Sequence, residues 1–392
     1  MTSAEGIDPQ NERRIALTVA ADDTVAIPKV EGAGEVVTRG GVEVQVMHNG
    51  VVVEHGGYHG AWMAEIIRRL RGHHEPQEEL AFHTVVERLR RDGVDDAVMI
   101  ELGGFWSFYS LWFQRMFPGG RNVIIEPDPS NLALAHRNLA LNDMHADVVQ
   151  AAVGARDGET VRLVCESDGV ERDLPTASVD GLIARFDLPR VDLLLVDVQG
   201  AELEALQGAA DAVARHAVRF LVVSTHHHRI SGDPLIHERC LRQLLDWGAH
   251  VIVEHTIEES SSGDGLIVAS LDPRDRDLHL EVTRVRARDS LFGGLWNDLA
   301  EAQEALDLER SAAEALRAQI ADASTATAPQ DDRTAELGAE LQRVRENRDE
   351  LHAELARVRE DRDRLHAALV AGRPGGRATV AARLRGRRGP RS

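Results

Sequence analysis

Short apolar runs alternate with amphipathic helical stretches between residues 97 and 271, and this alternation constrains the fold more than any other feature. The runs cover residues 98–100, 123–125, 147–149, 191–196, 220–223, 250–253 and 265–268. Strands that are apolar on both faces and separated by helices predict a parallel sheet with helices on both sides. Only residues 254–264 separate the last two runs, so we expect these two strands to pair antiparallel.

The chain before this region is divided differently. Residues 1–40 show no sustained period, which predicts a flexible segment that is mostly extended or poorly ordered. The alternation over 42–47, the turn at Asn49-Gly50 and the run 51–54 predict a β-hairpin. Helical patterns follow over 58–71 and from Leu80, separated by a polar break at 73–79. We therefore predict a hairpin plus a helical cap over 41–96, acting either as a lid over a binding pocket or as a solvated connection.

The C-terminal third has the spacing of a coiled coil. Apolar residues recur at intervals of four and three over 290–371, with a break near 323–332. A single amphipathic helix that folds back on the body is the alternative. Residues 372–392 contain many arginines and no acidic residue, which predicts a disordered basic tail or a contact with an anionic membrane surface.

The net charge limits which kinds of partner the protein is expected to bind. A formal charge of −20 disfavours binding to nucleic-acid phosphates. Neither an N-terminal apolar stretch nor an apolar run of bilayer length is visible in the sequence, so we expect a cytoplasmic protein.

A glycine-containing turn follows the first strand of the predicted sheet. Glu101 precedes Gly103 and Gly104, and Ser107 stands where a third glycine is often found, just before a helical stretch. Such a turn lets a nucleotide-like ligand approach the backbone and the free N–H groups of the helix start. The absence of a Gly-Lys-Ser/Thr sequence excludes a P-loop.

An acidic residue ends the second strand of the same sheet. Glu126 is followed by Pro127, and the Pro-Asp-Pro sequence fixes a sharp turn there. A carboxylate at this position can accept hydrogen bonds from both hydroxyls of a ribose. An exposed acid at a strand end, with no ligand, is the alternative.

Four segments in order together resemble the FkbM family of S-adenosylmethionine-dependent O-methyltransferases. They are Glu126-Pro-Asp-Pro-Ser-Asn131, Arg137-Asn-Leu-Ala-Leu-Asn142, Ala151-Ala-Val-Gly154 and the segment 197–209 that begins Asp197-Val-Gln199-Gly200. The resemblance covers residues 98–271. It implies a Rossmann-like class I α/β methyltransferase domain over 97–285, built on a parallel sheet with an antiparallel closing hairpin.

The resemblance also implies a cofactor site. For S-adenosylmethionine it points to Glu101, Gly103, Gly104, Ser107, Glu126, Pro127, Asp197 and Gln199. This chain departs from the family pattern in two places. Glu101 and Gly104-Phe105 stand where the family has Asp and Ala-Asn, and Gln199 replaces a glutamate, so an acceptor becomes both a donor and an acceptor.

Two residues are our candidates for catalysis. By resemblance Asp197 lies beside the transferring methyl group, and His226 matches a family histidine that follows the fifth strand. An imidazole with a pKa near neutrality suits a base that takes the hydroxyl proton. A structural or hydrogen-bonding histidine is the alternative. A divalent metal held by Asp197 with His226, His228, His237 and His255 is a further alternative, although their spacing matches no established zinc pattern.

The sequence therefore favours an O-methyltransferase acting on a hydroxyl of a sugar, glycan or secondary metabolite. A catalytically inactive methyltransferase-like scaffold, whose coiled coil mediates assembly, is the rival. An NAD-linked reductase is disfavoured by the incomplete glycine pattern and the closing hairpin. We further expect a homo-oligomer formed through the coiled coil, peripheral membrane contact through the tail and no nucleic-acid partner.

Overall fold

The computed structural model describes residues 9–285 and isolated positions between 306 and 343. The chain divides into the units Met1–Phe292 and Gly293–Ser392, and the fold below is that of the first. The predicted coiled coil, its break and the basic tail lie outside the described residues, apart from those isolated positions. No helix in the described part is long and apolar enough to span a membrane.

Helices and strands alternate through most of the first unit. The helices are α1 (Pro9–Val19), α2 (Ala61–Arg69), α3 (Pro76–Arg91), α4 (Phe108–Met116), α5 (Pro129–Leu141), α6 (Val179–Arg185), α7 (Glu202–Gln207), α8 (Ala210–Ala214), α9 (His228–Ser231) and α10 (Ile236–Asp246). The strands are β1 (Val36–Arg39), β2 (Val42–Val46), β3 (Val52–Glu54), β4 (Val98–Leu102), β5 (Arg121–Ile125), β6 (Asp147–Val149), β7 (Ala152–Val153), β8 (Thr160–Val164), β9 (Glu171–Ala177), β10 (Val191–Val196), β11 (Val218–Thr225), β12 (His250–His255) and β13 (Gly265–Ser270). Single 3₁₀ turns cover Ile257–Glu259 and Pro273–Asp275.

The central sheet has seven strands in the order β12-β13-β11-β10-β4-β5-β6. The pairs from β11 to β6 are parallel, whereas β13 runs antiparallel to both β11 and β12. The predicted parallel sheet with an antiparallel closing hairpin is therefore confirmed. The topology places the end of β11 beside the start of β13, because Thr225 is paired with Gly265.

Both faces of this sheet are buried. One core cluster contains Met99, Ile124 and Leu195 together with residues of α3 and α4. The other contains Ile100 and Val223 with residues of α6, α7, α8 and α10. Successive side chains of a strand point to opposite faces, so strands covered on both sides must be apolar throughout.

The segment before the central sheet confirms the hairpin and corrects the cap. Strands β2 and β3 pair antiparallel around the Asn49-Gly50 turn, and β1 adds a third strand. The second cap helix, however, begins at Pro76, inside the predicted polar break. The physical reason is capping, since a carboxylate oxygen of Glu79 accepts the backbone N–H of His74 at 2.6 Å and of Glu75 at 3.2 Å.

The expectation of an extended or poorly ordered N-terminus is wrong for residues 9–19, which form α1. Ile15 is buried, and the Thr18 hydroxyl donates to the carbonyl of Ser261 at 3.0 Å. Tertiary contacts at a few positions stabilise this helix, so its sequence carries only a weak periodic signal.

A small second sheet was not predicted. Strand β9 pairs parallel with β7 and antiparallel with β8. The side chains of β8 alternate between exposed and half-buried, and most of those of β9 are exposed or half-buried. Both strands include charged residues, so no apolar run marks this sheet in the sequence.

A buried ion-pair network ties α3 to the central sheet. Arg219 of β11 donates two hydrogen bonds to Asp275, at 3.0 and 2.8 Å, and also pairs with Asp92 at the end of α3. Arg88 of α3 lies 3.2 Å from Asp275, whose side chain is fully buried. Removing one partner of such a group leaves an uncompensated buried charge.

We expect Asp275→Asn to lower the free energy of unfolding by about 3 kcal/mol, because Arg219 then loses its buried counter-ion. The matched control is Asp272→Asn, since Asp272 pairs with an exposed arginine, Arg274, and should cost under about 1 kcal/mol. Urea denaturation of both variants measures the difference. Equal losses in the two variants would contradict the role given to the network.

Candidate active site

Four predicted residues meet at the carboxyl edge of the central sheet. Glu101 lies near the end of β4, while Glu126, Asp197 and His226 directly follow β5, β10 and β11. These strands are parallel neighbours, so their ends share one edge. Open α/β sheets bind ligands at this edge.

The turn after β4 packs tightly against the protein itself. A Cβ at Gly103, whose φ is +87°, would lie 1.7 Å from the carbonyl oxygen of Asp197. A Cβ at Gly104 would lie 2.2 Å from the Ile124 side chain. Both glycine N–H groups donate to the carbonyl of Ile125 at 2.9 Å. The glycines are therefore required first by the close approach of the strand ends β4, β5 and β10.

We expect Gly103→Ala to lower the free energy of unfolding by about 3 kcal/mol or more, because the added methyl group overlaps the Asp197 carbonyl. Gly158→Ala is the matched control. Its φ is also positive, at +73°, but nothing lies within 4 Å of the added Cβ, so we expect about 1 kcal/mol. Chemical denaturation distinguishes them, and equal costs would show that backbone conformation alone requires Gly103.

Glu126 is held in place by the turn it faces. Its carboxylate accepts the backbone N–H of Phe105 at 2.9 Å and that of Asp128 at 2.8 Å. Burial raises the pKa of Glu126 to about 7, although both N–H donors oppose the shift. The carboxyl group thus lies at the tip of β5 next to the glycine turn, as the sequence predicts for a ribose contact.

A cleft of about 360 Å³ is lined in part by Phe105, whose backbone N–H donates to Glu126, but Glu126 itself does not line it. Its walls come from the glycine turn, the start of α5, the loop before α2 and the loop after β8. They include Phe105, Asn131, Leu134, His59 and Glu166. The cleft is large enough for a small organic ligand.

Glu101 is buried behind the same turn. The hydroxyl of Ser110 on α4 donates to its carboxylate. Burial raises the pKa of Glu101 to about 8, and the nearby charges of Asp197 and Glu126 act in the same direction. This part of the edge is therefore a place where buried carboxyl groups repel one another.

His226 is the cationic centre of the edge. Its Nδ1 lies 2.6 Å from Glu202 Oε1, and its Nε2 lies 3.2 Å from Asp197 Oδ1 and 3.7 Å from Asp264 Oδ1. Burial by itself lowers the pKa of His226, but the carboxylates of Asp264, Asp197 and Glu202 raise it well above its ordinary value. With a carboxylate oxygen close to each ring nitrogen, these surroundings favour the imidazolium form of His226.

This charge state bears on the base predicted at His226. A protonated imidazole has no lone pair with which to take a proton. The geometry therefore favours a positioning role for His226, with Asp197 as the group it orients. The Asp197 side chain is 30% exposed, so solvent reaches part of it.

We expect the ¹⁵N shifts of the His226 side chain to stay at imidazolium values from pH 6 to pH 8, because three carboxylates surround it. Asp264→Asn should lower its pKa, since one of those charges is removed. NMR with His226→Asn for assignment makes the measurement. A midpoint below pH 7 in the wild-type chain would return His226 to the role of base.

Two contributors to this group were not singled out in the sequence. Glu202 is fully buried on α7 and also accepts the backbone N–H of Gly200 at 2.8 Å. Asp264 directly precedes β13, and burial raises its pKa to about 7. The predicted antiparallel pairing could have indicated Asp264, because it puts the start of the last strand at the carboxyl edge of the sheet.

The other predicted cofactor residues differ from one another in burial and in hydrogen bonding. Ser107 is buried in a left-handed conformation, and its hydroxyl has no hydrogen-bond partner within the described part of the chain. Pro127 is half-buried and accepts from Gln150 at 3.3 Å. Gln199 is exposed, with φ of +50°, and its amide lies 3.5 Å from Glu166.

The histidines considered for a metal have other contacts. His237 lies 2.8 Å from the Thr225 hydroxyl and 3.0 Å from Glu254. His255 contacts the carbonyl of Thr256 at 3.1 Å. These contacts give no support to a metal shared by His228, His237 and His255 with Asp197 and His226.

The cap contributes aromatic and acidic groups to the same region. Tyr58 stacks on Trp106 of the glycine turn, with ring centroids 4.4 Å apart. The hydroxyls of Tyr58 and Tyr109 each lie 3.4 Å from the carboxylate of Glu75. Burial raises the pKa of Tyr58 well above its ordinary value, and the charges of Glu75 and Asp197 add to the shift. These contacts favour the interpretation of the cap as a lid over that as a solvated connection.

The fold and this edge together define a methyltransferase-type α/β domain, and the comparisons with known proteins agree. Residues 91–251 match the model of the methyltransferase FkbM domain. Over these residues the chain is therefore similar to the FkbM methyltransferase domain.

Two curated fungal proteins are similar to part of the chain. Methyltransferase 1 of Beauveria bassiana (strain ARSEF 2860) is 25% identical over 150 residues, which cover 30% of this chain and 60% of that protein. Methyltransferase sdnD of Sordaria araneosa is 28% identical over 170 residues, covering 32% and 65%. The chain thus spans less than two thirds of either relative.

Solved structures of methyltransferases also align with the chain. A precorrin-6y C5,15-methyltransferase from Geobacter metallireducens GS-15 aligns with a TM-score of 0.31 and 20% identity over 49% of this chain and 87% of that one. An O-methyltransferase from Bacillus cereus, in complex with SAH, aligns with a TM-score of 0.32 and 12% identity over 50% and 81%.

Proposed function

We propose that the chain is an S-adenosylmethionine-dependent O-methyltransferase that acts on a hydroxyl of a sugar, glycan or secondary metabolite. The observation that carries this proposal is the buried Glu126 carboxyl group at the tip of β5, facing the glycine turn through the N–H of Phe105. The FkbM domain match over residues 91–251 supports the same reaction class.

The residues at the edge suit this cofactor. Glu126 would accept the ribose hydroxyls, and the cleft lined by its neighbour Phe105 has room for a small organic ligand. Buried polar atoms without hydrogen-bond partners in the described chain, the Ser107 hydroxyl and one Asp264 oxygen, are available to a ligand. The acidic character of the edge complements a positively charged sulfonium and ammonium group.

When bound, S-adenosylmethionine supplies an electrophilic methyl group. The work of this chain is then to align the acceptor hydroxyl and to take its proton. We assign the hydrogen bond from the acceptor hydroxyl to Asp197, which the His226 imidazolium orients through a 3.2 Å contact. Glu75, with Tyr58 and Tyr109, would contact the acceptor from the cap side.

The proposal also includes the oligomeric state, the partners and the location of the enzyme. The heptad pattern over 290–371 supports a homo-oligomer, and the arginine-rich residues 372–392 support peripheral contact with an anionic membrane. The net charge of −20 argues against a nucleic-acid partner, and a cytoplasmic location agrees with the sequence pattern.

We expect Glu126→Gln to weaken S-adenosylmethionine binding about 10–100-fold, because charge-assisted hydrogen bonds to the ribose are lost. Glu166→Gln is the matched control. Glu166 lines the same cleft but its side chain is half exposed, so its replacement should change the affinity by less than about 3-fold. Isothermal titration calorimetry on the full chain measures all three affinities.

Two results would contradict the proposal. A folded wild-type chain that binds no S-adenosylmethionine at millimolar concentration would favour the inactive scaffold. Undiminished binding by Glu126→Gln would place the cofactor elsewhere on the molecule.

A further inference from the structure

Acidic side chains of the cap and of the carboxyl edge meet around the hydroxyl of Tyr58. Glu75 directly precedes α3 and Glu78 lies in its first turn, while Asp197 follows β10 and Asp264 precedes β13. Burial raises the pKa of Tyr58 well above its ordinary value, and the charges of all four acids add to the shift. We call these four residues the acidic cluster, which thus joins the cap to the sheet edge.

The carboxyl group of Glu78 is buried without enough hydrogen-bond donors. The residue is 7% exposed, and its Oε1 has no hydrogen-bond partner within the described chain. Burial raises the pKa of Glu78, the charges of Glu75 and Asp197 add to the shift, and the hydroxyl of Ser224 near the end of β11 opposes it. The carboxyl group therefore faces the other acids. Buried polar atoms in native proteins are rarely left without a partner, so this oxygen is available to a ligand that donates hydrogen bonds.

The cations of the protein do not balance the acidic cluster. His74 lies 3.4 Å from Glu75 but 2.7 Å from Glu79, so its charge is shared with an acid outside the cluster. His226 is likewise shared among three carboxylates of the sheet edge. Among the described residues, neither a lysine nor an arginine forms an ion pair with any member of the cluster. Buried carboxylates in such surroundings need a further cation.

The proposed cofactor supplies only part of that charge. The sulfonium and ammonium groups of S-adenosylmethionine are partly offset by its own carboxylate. Glu75 and Glu78 moreover belong to the cap, which we assign to the acceptor rather than to the cofactor. The negative charge on the cap side is therefore left for a cationic group of the acceptor.

The aromatic neighbours of the acidic cluster suit such a group. Tyr58 stacks on Trp106 with ring centroids 4.4 Å apart, and its hydroxyl lies 3.4 Å from Glu75 Oε1. This hydroxyl can donate to the carboxylate and accept a hydrogen bond from an ammonium group at the same time. Aromatic faces also attract cations. Solvent reaches the cluster at the sheet edge, where the side chains of Asp197 and Asp264 are 30% and 26% exposed.

We propose that the acceptor is a hydroxylated amine of the amino-sugar type, whose protonated amino group binds between Glu75 and Glu78 of the cap. The inference rests on the proposed function and names the substrate class of the same site. With its amino group held on the cap, the acceptor presents a hydroxyl to Asp197 at the sheet edge. A neutral sugar lacks the charge that the acidic cluster requires, and an acidic sugar is repelled.

The test is the affinity of the full-length chain, saturated with S-adenosylhomocysteine, for glucosamine, glucose and N-acetylglucosamine. In ligand-observed NMR titrations we expect glucosamine to bind at least about 10-fold more tightly than the other two sugars, because only its amino group is charged. Glu78→Gln should reduce this preference to less than about 3-fold. Glu87→Gln is the matched control, because Glu87 also lies on α3 but pairs with the exposed Arg90, and it should keep the preference.

The comparison of sugars in the wild-type chain does not depend on variants that fold. A chain that binds S-adenosylhomocysteine but shows no preference for glucosamine overturns this inference and leaves the proposed function standing. A folded chain that binds no S-adenosylhomocysteine overturns both. A preference that survives in Glu78→Gln, or is lost equally in Glu87→Gln, overturns the assignment of the amino group to the acidic cluster.

Discussion

The burial of carboxyl groups at one edge of the central sheet is the constraint on which the rest of the site depends. Glu101, Glu126 and Asp264 lie close to other acids, and burial raises the pKa of each, to about 8, 7 and 7. Charged carboxylates in such surroundings need a cation or a proton. His226 is the cation that the described chain places among Asp197, Glu202 and Asp264.

This constraint connects the fold to the proposed chemistry. The close approach of Gly103 to Asp197 brings the ends of β4 and β10 together, and with them their acidic side chains. A sulfonium cofactor would add positive charge where the protein leaves negative charge poorly compensated. A bound cofactor of this charge would therefore stabilise the edge electrostatically.

The cap extends the same network away from the sheet. His74 lies 2.7 Å from Glu79 and 3.4 Å from Glu75, and these two acids raise its pKa to about 10 against the opposing effect of burial. Glu75 in turn contacts Tyr58 and Tyr109.

The sequence predicted those parts of the molecule that repeat a simple pattern. Strands that are buried on both faces are apolar throughout, so the sheet, its closing hairpin and the strand-end positions of Glu126, Asp197 and His226 could be found. Helix α1 and strands β8 and β9 could not, because tertiary contacts or charged, half-exposed residues define them. The charge state of His226 was equally hidden, since it depends on Glu202 and Asp264, 24 and 38 positions along the chain.

The proton balance of cofactor binding tests the central claim most directly. Calorimetry of S-adenosylmethionine binding at pH 7, in buffers of different ionisation enthalpy, counts the protons released. Because burial raises the pKa of Glu101 to about 8 and those of Glu126 and Asp264 to about 7, the account predicts a net release of protons, which falls by up to about one proton in Glu101→Gln. Binding with the same proton balance in wild type and Glu101→Gln would contradict it.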